Sequence, residues 1–334
     1  MVTIYDIAQK ANVSAMTVSK VINNTGRISE ETRRKVKKVM EELNYIPNSN
    51  ARSLVLQQTQ ILSLLITDIT NPFYTSLARG AEDGAKQYGY RLLFGNSDED
   101  YVKEKDYVDM ILSTRVDGVL FAPAGDLSLK NLEKLRAHNI PFVIMDRAVP
   151  GIESDMICGD SKEGARKLVD YLIGLGHRRI ALVNGSLDVS TARLRYEGYA
   201  EALALQGIPL DETLIIHQNY RDYHADDHLE QLLEQPSPPT AIFAANNVLA
   251  VGVIRDLRER GIRVPEDISV VCFDDLDLSS ALDPFLTVAA QPAYQFGAMG
   301  IQLLVERIRG SSVPESRKVI LPSELVIRSS AKPI

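Results

Sequence analysis

Two cysteines in 334 residues are too few for a disulfide framework. Cys158 and Cys272 stand far apart inside apolar, strand-like runs, and two buried free thiols fit a reducing compartment. No stretch approaches the roughly 18 apolar residues that a membrane span needs, and Asp6, Gln9 and Lys10 interrupt the first turn where an export signal would be apolar. The expectation is a soluble, cytoplasmic chain with no membrane partner. Catalytic signatures are missing as well. No GxGxxG follows a strand, "GLG" at 174–176 lacks the third glycine, and neither a P-loop nor a nucleophile elbow occurs. "HADDH" places His224 and His228 four residues apart, but it has no general-base glutamate and no third ligand, so it reads as a solvated polar face. "FDDLD" offers Asp274 and Asp275 with nothing to make one an acid and the other a base. Neither catalysis nor a cofactor nor a metal is expected.

What is present is core and asymmetry of charge. A content of 45% hydrophobic residues supports a sizeable core, and the length allows two domains plus a smaller module. The net charge is −7, yet residues 1–60 hold nine Lys/Arg against five Asp/Glu, a balance of +4, and the remainder holds 28 against 39, a balance of −11. A basic head on an acidic body points to nucleic acid at one end and another duty at the other.

The head reads as three helices. Thr3 and Asp6 have capping-box spacing, so "TIYDIAQKA" starts near Thr3 with Ile4, Ile7, Ala8 and Ala11 on one face. "NVS" breaks it, and Ser14 caps "AMTVSKVIN", whose Val18, Val21 and Ile22 face inward. After the turn "NNTGR", Ser29 opens "EETRRKVKKVMEELNY", with an apolar stripe of Val36, Val39, Met40 and Leu43. Two short helices across a three-residue turn, backed by a third, form a helix-turn-helix whose second helix can enter a major groove. Its outward N-terminal residues, Ala15, Met16 and Lys20, are placed to read base edges. Tyr5, Thr17, Ser19, Asn23, Arg27 and Arg33 suit phosphate contacts.

The run "TIYDIAQKANVSAMTVSKVINNTGRISEETRRKVKKVMEELNYIPNSNARSL" resembles the N-terminus of the LacI/GalR family of bacterial transcription regulators, and the likeness continues along the chain. The resemblance implies a helix-turn-helix domain at 1–47, a hinge helix at 48–59 and an effector-binding, dimerising body at 60–334. It adds Thr3, Ser14, Thr32 and Asn48 to the DNA-binding set. Lys20 departs from the arginine usual in the family, replacing a bidentate guanine contact with a point charge. In the hinge segment "NSNARSLVLQQT", a helix of about two turns is too short to be stable alone. The family likeness implies that two such helices from a dimer pair in the minor groove. Leu54 would wedge the central base step, with Ala51 and Arg52 beside it. Asn50 stands where relatives carry a small apolar residue.

In the body, apolar runs ("ILSLLI", "RLLFG", "VDGVLFA", "FVIM", "RIALVNG", "AIFAAN", "ISVVCFDD") alternate with helical patterns. This argues for an α/β body with two parallel sheets and a ligand crevice at the strand C-termini. The resemblance implies a two-subdomain, periplasmic-binding-protein-like arrangement, with one subdomain of about 60–160 and 292–320 and the other of about 161–291 plus the C-terminal segment. It places Phe73, Tyr74, Asp146, Arg147, Arg195, Tyr220, Asn246, Asp274 and Gln291 at the cleft. Carboxylates, amides and aromatics in this mixture suit the hydroxyls and apolar faces of a sugar. Two arginines would also tolerate a sugar acid or phosphosugar. "NN" at 246–247 replaces the usual Asn-Asp, and Cys272 stands where glycine often precedes "FDD".

The implied protein is a regulator, most simply a repressor. It would bind near-palindromic operator DNA as a homodimer, since no leucine heptad follows that would make a tetramer. A sugar or sugar derivative would act as effector, and an inducer would separate the hinge helices where a corepressor would bring them together. A solute-binding protein for sugar uptake and an α/β sugar-metabolising enzyme share the body type. The head and the absence of catalytic motifs disfavour them.

Overall fold

The computed structural model describes residues 2–45, 58–221, 226–276, 284–310 and 315–334. The chain forms two compact units, Met1–Thr59 and Gln60–Ile334.

In the first unit, α1 (Ile4–Ala11), α2 (Ala15–Ile22) and α3 (Glu30–Glu42) enclose a small core of Ile7, Ala8, Ala11, Val18, Val21, Val36 and Val39. These are the inward positions of three amphipathic helices. Ile4, Ile22, Met40 and Leu43 pack partly buried at its edge. Asn12 ends α1 in the left-handed region (φ 50°), and Lys10 bridges to Glu42 across α1 and α3 at 2.9 Å.

The second unit carries two six-stranded sheets. Strands β1 (Ile61–Ile66), β2 (Arg91–Asn96), β3 (Gly118–Phe121), β4 (Phe142–Met145), β5 (Met156–Gly159) and β11 (Lys318–Leu321) form the first, in the order β11-β5-β4-β3-β1-β2. Strands β6 (Ile180–Asn184), β7 (Ile215–His217), β8 (Ala241–Ala244), β9 (Ser269–Phe273), β10 (Thr287–Ala290) and β12 (Glu324–Val326) form the second, in the order β12-β10-β9-β8-β6-β7. The two orders correspond strand for strand, so β4 and β9 occupy equivalent central places. All pairings are parallel except β10 with β12.

Helices α4 (Pro72–Gln87), α5 (Tyr101–Thr114), α6 (Leu129–Ala137) and α11 (Ala293–Ile308) pack with the first sheet. Helices α7 (Ser161–Gly174), α8 (Ser190–Leu205), α9 (Asp226–Leu233) and α10 (Asn247–Glu259) accompany the second. The chain therefore passes from one sheet to the other after β5, after β10 and after β11. Helix covers on both faces explain why strands such as β3, β4, β6, β8 and β9 are buried throughout and read as continuous apolar runs. Close helix packing rests on glycine: a Cβ on Gly297 of α11 would lie 1.9 Å from the Leu77 carbonyl oxygen of α4. Cys158 and Cys272 are free and buried. Among the described residues, no helix is long and apolar enough to cross a membrane.

Candidate functional site

In the head, capping positions α2. Ser14 Oγ accepts the Thr17 backbone N–H at 3.1 Å and lies 2.9 Å from the Thr17 hydroxyl. This directs Met16 outward, 69% exposed, with Lys20 exposed one turn later and Ala15 half-buried. Positions i and i+4 share a helix face, so Met16 and Lys20 present one surface. Tyr5 is 70% exposed on α1, and Arg27 is exposed in the turn before α3. Asn23 donates to Ser19 Oγ at 3.3 Å and leaves its own Oδ1 without a partner. Three further predicted contacts are also engaged internally. Thr3 donates its backbone N–H (2.7 Å) and hydroxyl (2.8 Å) to Asp6, and Thr32 exchanges hydrogen bonds with the Ser29 cap of α3. Arg33 donates to Asn24 Oδ1 and pairs with Glu30 at 3.4 Å. Asn48, Ala51, Arg52 and Leu54 lie outside the described residues.

In the body, the residues expected at the cleft, Phe73 excepted, lie near the C-terminal ends of the two sheets. Asp146 follows β4 and Asp274 follows β9, at equivalent places. Both adopt left-handed backbone, φ 66° and 68°, a conformation costly for a non-glycine residue and frequent at ligand sites. Neighbouring strands hold them there, through Asp146 N–H to the Ile157 carbonyl (2.7 Å) and Asp274 N–H to the Ala289 carbonyl (3.0 Å).

Each acid has a set of partners. The Tyr74 hydroxyl donates to Asp146 Oδ2 at 3.0 Å, and burial pushes the phenol well above its ordinary value, keeping it protonated. Phe73 instead packs edge-on against Tyr74 and Phe296 in the core of the first half. Asp274 accepts Gln291 Nε2 at 2.8 Å and faces Arg195 Nη2 at 3.4 Å. Burial raises its carboxyl to about 6, with Arg195 and Gln291 pulling the other way. The Arg195 guanidinium lies 3.8 Å over the Phe273 ring and donates to the Ala245 carbonyl. Asn246 caps α10, accepting the Leu249 N–H at 2.8 Å. Tyr220 is buried with Arg147 5.6 Å from its ring centre.

Four buried polar atoms at the strand ends have no hydrogen-bond partner: Arg147 Nε, Arg195 Nε, Gln291 Oε1 and Asn247 Oδ1. Orphaned buried donors and acceptors are rare in proteins. Here Arg147 belongs to the first half and Arg195, Asn247 and Gln291 follow strands or open helices of the second, two of the atoms being donors and two acceptors. A cavity of about 500 Å³ opens between Glu99 and Ala124 on one side and Ser186, Asp188, His217 and Tyr220 on the other, and its Glu99 and Tyr220 are the groups that contact Arg147.

Several site residues escaped the sequence reading. Glu99, in the loop after β2, is buried against Arg147 and accepts both of its terminal nitrogens. Asn71 accepts Asn247 Nδ2 at 3.0 Å, Arg193 forks onto Asp126 at 2.8 and 3.0 Å, and Arg221 reaches Asp98 at 3.0 Å. Each of these pairs joins one half of the body to the other. The available signal was position: "NSDED" and "DITNPFY" directly follow strands, where ligand loops occur in α/β sheets. Of the "HADDH" pair, His224 lies outside the described residues, and among those described no cluster could hold a metal ion.

Comparison with known proteins fits both units. The signature "Bacterial regulatory proteins, lacI family" matches residues 3–48, and "Periplasmic binding protein-like domain" matches 169–331. The chain is 37% identical to the HTH-type transcriptional regulator DegA of Bacillus subtilis (strain 168), over 99% of this chain and 98% of that protein. The chain belongs to the lacI family of bacterial regulatory proteins. It is also 37% identical to the ribose operon repressor of Escherichia coli (strain K12), over 99% of this chain and all of that one. Among solved structures, the lac repressor dimer bound to operator and the anti-inducer ONPF aligns with a TM-score of 0.84 at 30% identity, covering 99% of each chain. The complex of the transcriptional regulator CelR with cellobiose gives 0.73 at 30% identity, covering 99% of this chain and all of that one. As a member of this family the chain is a DNA-binding transcriptional regulator and not an enzyme.

Proposed function

We propose that this regulator represses transcription as a homodimer on a near-palindromic operator in the cytoplasm, and that a sugar or sugar derivative bound between the two halves of its body sets operator affinity. The observation that carries the effector reading is the set of orphaned buried polar atoms at the strand ends, together with a cavity whose Glu99 and Tyr220 contact Arg147. Fixed N–H donors and amide acceptors match the donor and acceptor capacity of sugar hydroxyls, and Tyr220 supplies an apolar ring face. Relatives named for ribose and cellobiose support the same chemistry. The DNA reading rests on exposed Met16 and Lys20 on α2, with Tyr5 and Arg27 contacting the backbone. The hinge at 48–59, with Asn48, Ala51, Arg52 and Leu54, belongs to this proposal as the link between effector and groove. Exposed Leu93 and Phe94 on the edge strand β2 favour a second copy as the partner that covers them.

A thermal-shift screen over pentoses, hexoses and disaccharides, followed by operator titration with each hit, tests the proposal. One sugar should raise the melting temperature and change operator affinity together. Operator affinity should also fall steeply with salt. Stabilising sugars that leave operator affinity unchanged, or affinity insensitive to salt, would count against it.

A further inference from the structure

We propose that Glu99 sets the charge of the effector, so that the cleft admits neutral or amine-bearing sugars and turns away phosphorylated and acidic ones. This rests on the sugar reading above and narrows its chemical class. Two arginines in a cleft are by themselves an invitation to a carboxylate or phosphate. Here neither has a free fork. Both terminal nitrogens of Arg147 go to the Glu99 carboxylate, and Nη1 is shared with the Pro123 and Ala124 carbonyls at 3.3 and 3.4 Å. Its Nε sits 3.6 Å from Asp146 Oδ2. Arg195 spends one terminal nitrogen on the Ala245 carbonyl and turns the other to Asp274.

Among the buried side chains of the cleft, two cations, Arg147 and Arg195, stand against three carboxylates, Glu99, Asp146 and Asp274, while the more exposed Arg193 and Arg221 are paired with Asp126 and Asp98. The cavity carries Glu99 and Asp188 on its walls, and among the described residues that line it His217 alone can bear positive charge. That imidazole already has Nδ1 3.2 Å from the Gly185 carbonyl oxygen. An entering phosphate would lose its water and meet carboxylates rather than a countercharge, which is costly in a buried site. A hydroxyl meets no such penalty, because it can donate to a carboxylate and accept from an arginine Nε.

The placement of Glu99 is itself built in. Asp98 and Glu99 take left-handed backbone in succession, φ 55° and 58°, and the Glu99 N–H is tied to the Thr67 carbonyl at 3.1 Å. Two consecutive non-glycine residues held in this region mark a loop shaped to a purpose rather than a relaxed connection.

The test uses the full chain and Glu99→Gln, whose amide oxygen still accepts a hydrogen bond from Arg147. Calorimetry at about pH 7.5 measures binding of inorganic phosphate. Thermal shift compares ribose with ribose 5-phosphate, and glucose with glucose 6-phosphate and gluconate. Phosphate should bind Glu99→Gln at least about tenfold more tightly than the parent, and the parent should respond to no anionic member of the panel. Equal phosphate affinity in the two proteins, or a parent that prefers a phosphosugar or aldonate to its neutral counterpart, overturns the assignment. The parent comparison decides even if the variant folds poorly, which circular dichroism and effector-free operator binding would show. If no neutral sugar binds the parent, the sugar reading fails instead; the phosphate measurement, which needs no sugar, keeps the two failures apart.

Discussion

Asp274→Asn should make the free protein more stable and deaf to its effector. The carboxylate is buried after β9, and burial lifts its pKa from the ordinary 3.8 to about 6, against the pull of Arg195 and Gln291 and with a push from Asp146 and Asp275. At about 1.4 kcal/mol per pKa unit, ionising it costs the folded chain about 3 kcal/mol more than the unfolded one at neutral pH. Asparagine has nearly the same shape and no charge. It keeps an oxygen to accept from Gln291, while Arg195 keeps the Ala245 carbonyl and the Phe273 ring. Allowing for the weaker partner left to Arg195, the expected gain is about 1–3 kcal/mol, or several degrees in melting temperature for a unit of this size.

The pH dependence supplies the sharper check. A carboxyl whose folded pKa lies above its unfolded value is an unfavourable charge above about pH 6. It contributes nothing below about pH 4, where it is protonated in both states. The stability difference between variant and parent should therefore shrink as pH falls from about 7.5 to about 4.5, read by urea denaturation across that range. A variant no more stable than the parent at about pH 7.5, or a difference that ignores pH, refutes the burial argument. Retention of a sugar-dependent thermal shift by the variant would separately remove the Asp274 charge from the effector site.

Gly297→Ala should separate α4 from α11. Alanine favours helix over glycine by about 1 kcal/mol, but its Cβ would meet the Leu77 carbonyl oxygen at 1.9 Å and the Ala81 nitrogen at 2.5 Å. Neither backbone atom can rotate away. Overpacking of about 1–3 kcal/mol should win, giving a net loss in denaturant midpoint and a weaker effector response, since α4 carries Tyr74. An unchanged midpoint would contradict the packing. Leu54→Ala should abolish bending at the operator centre while leaving nonspecific binding largely intact, as read by circular-permutation gel shift; unchanged bending would remove Leu54 from the mechanism.

The head was legible in the sequence because its determinants are local. Ser14 and Ser29 cap helices whose apolar spacing has the helical period, and those positions pack where the period places them. The long strands were legible for the same reason: "ILSLLI" and "ISVVCFDD" are buried on both faces and therefore continuously apolar. β7 and β12, three residues each, are too short to show a period, and the antiparallel pairing of β12 with β10 is a long-range fact that neither short strand announces. The strand-end acids Asp146 and Asp274 came from likeness to a family. Their left-handed backbone and shared place in two sheets of corresponding order became visible only in the fold.

What the sequence by itself determined is the division of the chain, a basic three-helix head on an acidic α/β body, because charge balance, caps and periodicity are properties of neighbours along the chain. Only the tertiary structure decided what the cleft arginines are. By sequence alone Arg147 and Arg195 would tolerate an anionic sugar as well as a neutral one, until Glu99, 48 residues before Arg147, and Asp274, 79 residues after Arg195, are brought against them. A side chain's charge is written in the sequence. Whether that charge is free to meet a ligand depends on which distant groups the fold buries beside it.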